Sequence, residues 1–380
     1  MKSGRSLQDL AAELDRRRGT KQDFVADTRQ ISVAMQENRP AIQLAGQDDR
    51  FNLTNHAINQ MGTWAGVPAK YIERMIAEAP DLLPVNLNHW LNSPPAPKER
   101  PRKAGSRRRR VLTRDNDPSV KRMVRTLDGE ARAFLSNRYR RIDNEDVMEM
   151  ALPVLMEDRN LNIVSCEVTD RKLYIKALYP ELEGRAVGDV VQAGIVISNS
   201  EIGLGSIQVS PLLMILRCEN GMILPDDSLR RYHIGRAVGG GEYEGAVEVF
   251  ADDTNEAADK TLILQLRDTV RASREQAMLG KGIELLEAAA SGTKIERPVE
   301  AVEVLAKQIG LNQKEKTSVL TELIRFGDMS RYGVMNAVTQ AAGEADDYDR
   351  ATELERAGAS VLKINPTEWK EVIDAEPIAV

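Results

Sequence analysis

Cysteine is nearly absent from this chain of 380 residues. Cys166 and Cys218 stand alone, which excludes a disulfide framework, and with no further thiol or paired imidazole near either they give no zinc cage. Histidine is scarcer than in most enzymes that use it: His56, His89 and His233 are far apart and have no paired carboxylate at ligand spacing. Aromatic residues make up 4% of the chain, so the interior has to be built from Leu, Ile, Val, Met and Ala. No run approaches the roughly 18 apolar residues of a membrane helix, and the opening MKSGRSLQDLAAELDRR is charged where a signal peptide would be apolar. A cytoplasmic protein with no membrane partner is expected.

Catalytic signatures are missing as well. There is no phosphate-binding glycine loop followed by Lys and Ser/Thr, no dinucleotide fingerprint opening a helix and no nucleophile elbow. The nearest approach, Gly203-Leu204-Gly205-Ser206, lies between expected strands and reads as a turn. The paired acids Asp226-Asp227, Asp252-Asp253 and Asp346-Asp347 could in principle hold a divalent ion in a metal-dependent nuclease, but each sits in an expected loop and solvated loop acids or helix caps are the favoured explanation. No catalytic residue, metal or cofactor is therefore assigned, and a non-enzyme is expected.

What the chain does have is polarised charge. Its net charge is −6, yet between Lys98 and Arg141 there are 16 Lys or Arg against 5 Asp or Glu, a balance of +11, which leaves −17 on the other 336 residues. Arg107, Arg108, Arg109, Arg110, Arg114, Lys121, Arg122, Arg125, Arg132, Arg138, Arg140 and Arg141 repel one another unless a polyanion lies close, and a phosphate backbone is the natural counterpart. Tyr139 sits among these cations and reads either as a base-stacking ring or as core. A thinner cluster, Arg217, Arg230, Arg231 and Arg236, is placed to line a groove.

The expected fold class is α+β: an antiparallel β-meander core with packed helices, flanked by helical N- and C-terminal regions. Residues 1–93 read as mostly helical, with Leu7, Leu10, Ala11 and Leu14 in helical step and a helix-turn-helix-like pair starting at Thr54 and passing Pro68. Residues 94–110 form a basic Pro-rich linker and a domain boundary. Residues 111–245 carry an α+β core. Within it SVKRMVRTLDGEARAFL reads as a helix, the Val- and Ile-rich runs from NIVSCEVTD to GMILP as the meander, and Asn220-Gly221 as a hairpin turn. Residues 246–380 are helical, with one long helix from Asn255 to Ala290 and a short strand at SVLKI.

The stretches FLSNRYRRIDN, GIVISNSEIGLGSIQVSP, LRCENGM and GDMSRYGVMNAVTQAAGEADDYDRATELERAG resemble a group of phage- and plasmid-borne proteins of unknown function, over about Asn52 to Trp369. The architecture also resembles the RecT, Red-beta and Rad-type single-strand annealing proteins. That likeness implies a ring or filament of identical subunits that holds single-stranded DNA along a basic groove without consuming nucleotide. One departure is that the basic run here abuts a Pro-rich linker, whereas the annealing groove is made of ordered elements. The resulting expectation is a single-stranded-DNA-binding or annealing protein of recombination or replication. Two alternatives are a metal-dependent nuclease and a non-catalytic interaction protein that counters a host defence.

Overall fold

A computed structural model describes residues 1–93, 121–137, 139, 141–205, 207–217, 220–224, 252–272 and 276–375. It is an α+β protein built on two sheets. Helix α1 (Leu7–Thr20) opens at Ser6, whose hydroxyl accepts from the Asp9 N–H. Strands β1 (Gln22–Asp27), β2 (Ile31–Gln36), β3 (Arg39–Leu44) and β4 (Arg50–Leu53) follow, so the expected helical N-terminal region is interrupted by a sheet. Its segments ISVAM and RPAIQL are β-branched and apolar at alternate positions, a period-2 pattern that α1 does not share.

Helices α2 (Asn55–Ala65), α3 (Ala69–Glu78) and α4 (Leu82–Asn92) come next, with Thr54 capping α2 and Gly66 in the left-handed conformation ending it. The stretch expected as a helix from Ser119 is instead the hairpin β5 (Lys121–Leu127) and β6 (Glu130–Ser136). Asp128 and Gly129 both adopt positive φ, at 51° and 78°, as a two-residue turn matched to strand twist requires. Side chains along β5 are buried on both faces, which a one-sided amphipathic helix would not allow.

These strands form one sheet in the order β1-β5-β6-β4-β3-β2, antiparallel except where β4 meets β6. The sheet takes strands from both sides of residues 94–120. Its two edges, β1 and β2, are joined by a single 3-10 turn at Thr28–Gln30, so the sheet has to curl. Helices α2 to α4 close one face over Ile42, Phe51, Met61, Leu83, Leu87 and Phe134. At the β2 edge, Asn88 of α4 substitutes for a further strand. Its side-chain oxygen accepts from the Val33 N–H and its amide donates to the Val33 carbonyl, both at 2.8 Å.

The second sheet is the expected meander. Helix α5 (Asn144–Leu155) leads into β7 (Asn162–Val168), β8 (Leu173–Ala186), β9 (Asp189–Asn199), β10 (Gln208–Ile215) and β11 (Asn220–Ile223), in the order β11-β10-β9-β8-β7. Asn220 and Gly221 lie inside β11, paired with Ile215 and Met214, and do not form the turn. The expected long helix is two, α6 (Asp252–Ala272) and α7 (Gln276–Ala290). Helices α8 (Pro298–Ile309), α9 (Gln313–Phe326), α10 (Arg331–Ala341), α11 (Tyr348–Leu362) and α12 (Pro366–Ile373) complete the chain, and SVLKI continues α11 where a strand was expected.

Helices α1, α5, α6 and α7 pack on one face of the meander, over Ile175, Val191, Ile195 and Leu213, and α11 lies across the other. Among the described residues no helix is long and apolar enough to cross a membrane.

Removing the Asn88 amide leaves a strand N–H and C=O without their partner. Asn88→Ala is expected to cost about 1–3 kcal/mol in urea unfolding. An unchanged midpoint would show that water replaces the side chain at no cost.

Candidate nucleic-acid interface

The hairpin β5–β6 carries Lys121, Arg122, Arg125 and Arg132 of the basic residues expected to meet a phosphate backbone, and strand alternation separates them. Arg122 points into the helix-covered face. It is buried, and its guanidinium carbon lies 5.2 Å from the Trp64 ring centre and 5.8 Å from that of Phe134. Arg125 points to the other face and is wholly buried. It donates to both oxygens of Asp23 at 2.8 and 3.1 Å, to Asp143 at 2.6 Å and to the Glu201 carbonyl at 2.8 Å. The register between β5 and β6 slips at this point, from Arg125↔Ala133 to Thr126↔Ala131, so Arg132 is the extra residue of a bulge. The bulge carries its guanidinium to the Arg125 side, where it meets the Glu201 carboxylate at 2.6 Å.

The partner of this face is the β9–β10 connection. Its residues 200 to 202 present three successive carbonyls, and each is taken by a side chain from the other sheet's unit. Tyr139 donates to Ser200 at 3.1 Å, Arg125 to Glu201, and His56 and Gln60 to Ile202 at 2.9 and 2.8 Å. Gln60 also accepts from the Phe134 N–H at 2.8 Å, supplying β6 with a partner beyond the end of β4. Gly203 has φ of +81°, and a Cβ on it would come within 2.8 Å of Leu135. The turn weighed against a phosphate cradle is therefore a latch between the two sheets. Ile202 fills it, packed with Met123, Ala133, Leu135 and Tyr139.

Charge at the latch is balanced. Lys21 lies 2.9 Å from Asp143, 3.0 Å from Glu145 and 3.5 Å from Glu201, and the Glu201 carboxylate also accepts from the Asn144 N–H at 2.7 Å. Lys21, Arg125, Arg132 and Arg141 thus face Asp23, Asp143, Glu145 and Glu201, four cations against four carboxylates. Burial opposes the charge on Asp143, but Arg125 and Lys21 outweigh it and hold the carboxyl below its ordinary range. Burial likewise works against the Lys21 ammonium, yet Glu201, Asp143 and Glu145 keep it charged and raise its pKa. Burial pushes the Tyr139 phenol up and the His56 imidazole down.

Among the described residues, Asp143, Glu145 and Glu201 come close enough to share a metal ion, with ligand oxygens within 4.8 Å of one another. The Lys21 ammonium already sits against all three and supplies the positive charge there. Asp347 caps α11 by accepting from the Arg350 N–H, and Asp346 pairs with Lys314, so this acid pair has a structural role. Asp226 and Asp227 lie outside the described residues.

The structure places several expected contact residues in the interior. Arg122, Arg125 and Arg132 are enclosed by strand alternation and by the bulge, and Tyr139 is partly buried against the latch, where its hydroxyl donates to Ser200. Lys121 is exposed at the start of β5, opposite Asp27, and Arg141 is exposed beside Asp23 at 3.3 Å, so both lie along β1. Arg217 is exposed at 3.6 Å from Asp189, at the far end of β9, roughly 30 Å along the strand from the latch. Arg107 to Arg110, Arg114, Arg138, Arg140, Arg230, Arg231 and Arg236 lie outside the described residues. The sequence reading missed Lys21, Asp23, Asp143, Glu145 and Glu201. Their only local mark is the capping box of Asp143 and Asp146 at the start of α5.

Comparison with protein-family models, with curated proteins and with solved structures finds no match to this chain.

Glu201→Gln leaves Arg132 and Lys21 short of a buried counter-charge and should destabilise the fold by about 3–5 kcal/mol in denaturant unfolding. A loss below about 1 kcal/mol would place Glu201 in water. Manganese added to the wild type should leave the melting temperature unchanged, since Lys21 holds the carboxylates; a clear rise would mean that the ion displaces it. His56 donates its Nε2–H to Ile202 in the neutral form. Because its pKa is lowered on folding, the unfolded chain binds the extra proton more readily. Stability should therefore fall as pH drops from about 7 to 5, and His56→Gln, which keeps a donor, should flatten that part of the profile.

Proposed function

We propose that this chain is a nucleotide-independent nucleic-acid-binding protein that grips the phosphate backbone, in the manner of proteins that bind or anneal single strands during recombination or replication. The observation that carries the reading is how the basic residues divide. Arg122, Arg125 and Arg132 of β5 and β6 are consumed by carboxylates and aromatic rings. The run from Lys98 to Arg114 has nine Lys or Arg against one Glu, and it precedes β5, which opens at the exposed Lys121. Nine cations in 17 residues repel one another in water and are relieved when phosphates replace their counterions. Lys121 and Arg141 extend the same charge along the β1 side of the sheet.

Tyr139 is partly buried and its hydroxyl is spent on the Ser200 carbonyl, which favours backbone contact over base stacking, so affinity should depend on salt far more than on sequence. Assembly of identical subunits into a ring or filament belongs to the same proposal, as does the phage or plasmid setting.

On single-stranded DNA each phosphate contact contributes about −0.7 to the slope of log affinity against log salt. Changing Arg107, Arg108, Arg109 and Arg110 together to Gln should reduce that slope by about 3 and weaken binding at physiological salt, without a shift in the melting temperature. Undiminished binding would refute the site. Arg125→Gln is the contrasting control: it should lower the melting temperature, because its guanidinium belongs to the latch.

A further inference from the structure

Beneath α11, the meander presents polar side chains in a place where the rest of the interior is apolar. Tyr174 and Lys176 of β8 and Ser165 of β7 face Tyr348, Asp349 and Glu355 of α11. Tyr174 donates to Asp349 at 2.7 Å, and the hydroxyls of Ser165 and Tyr348 are 2.6 Å apart. Lys176 and Glu355 are both completely buried, with Nζ 2.6 Å from Oε2. The Tyr348 ring covers the ammonium, its centre 4.6 Å away.

As an ion pair this contact is incomplete. Among the described residues Glu355 Oε1 is buried with no hydrogen-bond partner, and Lys176 donates to a single carboxylate oxygen and a ring face. A buried pair repays its desolvation only when the remaining lone pairs and protons are also satisfied. The strands and helix nevertheless hold the two groups together, so the strain falls on their charge. Burial drives Lys176 toward the neutral amine, helped by the nearby Arg356 and opposed by Glu355. With Nζ 2.6 Å from Oε2, the amine is held one C–O bond away from the carboxyl carbon it would attack, so little translational freedom separates the two groups.

We infer that Lys176 and Glu355 are the site of a self-formed amide cross-link between β8 and α11. The ammonium first passes a proton to the carboxylate, giving amine and carboxylic acid. The Lys176 Nζ lone pair then attacks Glu355 Cδ, forming the C–N bond. One Glu355 oxygen departs as water with that proton and a second proton from Nζ. No oxidant, cofactor or other reactant enters, and the reaction removes two desolvated charges. The dry interior that makes the ion pair costly also protects the amide from hydrolysis. The bond closes a loop between residues 179 apart in sequence, tying the C-terminal helices to the meander. The inference stands independently of nucleic-acid binding.

Intact mass measurement of the denatured full-length chain decides it, because the wild type suffices. The expected result is a mass lower than the sequence requires by one water, with a branched peptide joining Lys176 to Glu355 in the digest. Lys176→Met should restore the full mass whether or not that variant folds. A wild-type chain at full sequence mass without a branched peptide overturns the cross-link. So does a water loss that survives Lys176→Met.

Discussion

Glu201 is a carboxylate taken almost entirely out of water, 4% exposed, and a charge so placed persists only where cations and N–H donors replace the lost hydration. The latch meets that condition with Arg132, Lys21 and the Asn144 N–H, while the backbone on either side of Glu201 is gripped by Tyr139, Arg125, His56 and Gln60. Each contact joins the β9–β10 connection to the curled sheet, to helix α2 that covers it, to Lys21 before β1, or to the segment that leads into and starts α5. The relative placement of the two sheets therefore rests on one short connection whose polar atoms are nearly all spoken for.

The same requirement accounts for part of the arginine that a chain of net charge −6 gathers between Lys98 and Arg141. Four carboxylates drawn into one buried junction need four cations, and β5, the β6 bulge and the residues after β6 supply three of them. Density of arginine along the sequence thus mixes two populations. One set neutralises acids distant in sequence, such as Asp23 and Glu201, and the other lies in the run from Lys98 to Arg114, where the sequence itself offers a single acid, Glu99. A linear count cannot separate them, because the separation depends on which face of a strand each side chain takes.

Beneath α11 the interior again encloses charge, with a different outcome. Lys176 and Glu355 are one cation against one carboxylate beneath a tyrosine ring, whereas the latch sets Lys21, Arg125, Arg132 and Arg141 against four carboxylates. The two clusters differ in how many opposite charges share the loss of hydration.

Local pattern determined the α+β class, the meander and the helix start at Thr54, because strand alternation and cap chemistry act over a few residues. Local pattern also misled in SVKRMVRTLDGEARAFL, where apolar residues fit a helix and the decisive signal, Asp128-Gly129, is a turn that the 2-residue period flanks on both sides. Which arginines are surface and which are structure was settled only by tertiary folding. Burying Glu201 fixed the positions of Arg125 and Arg132, and Glu201 lies 76 residues after Arg125, beyond the reach of any local pattern.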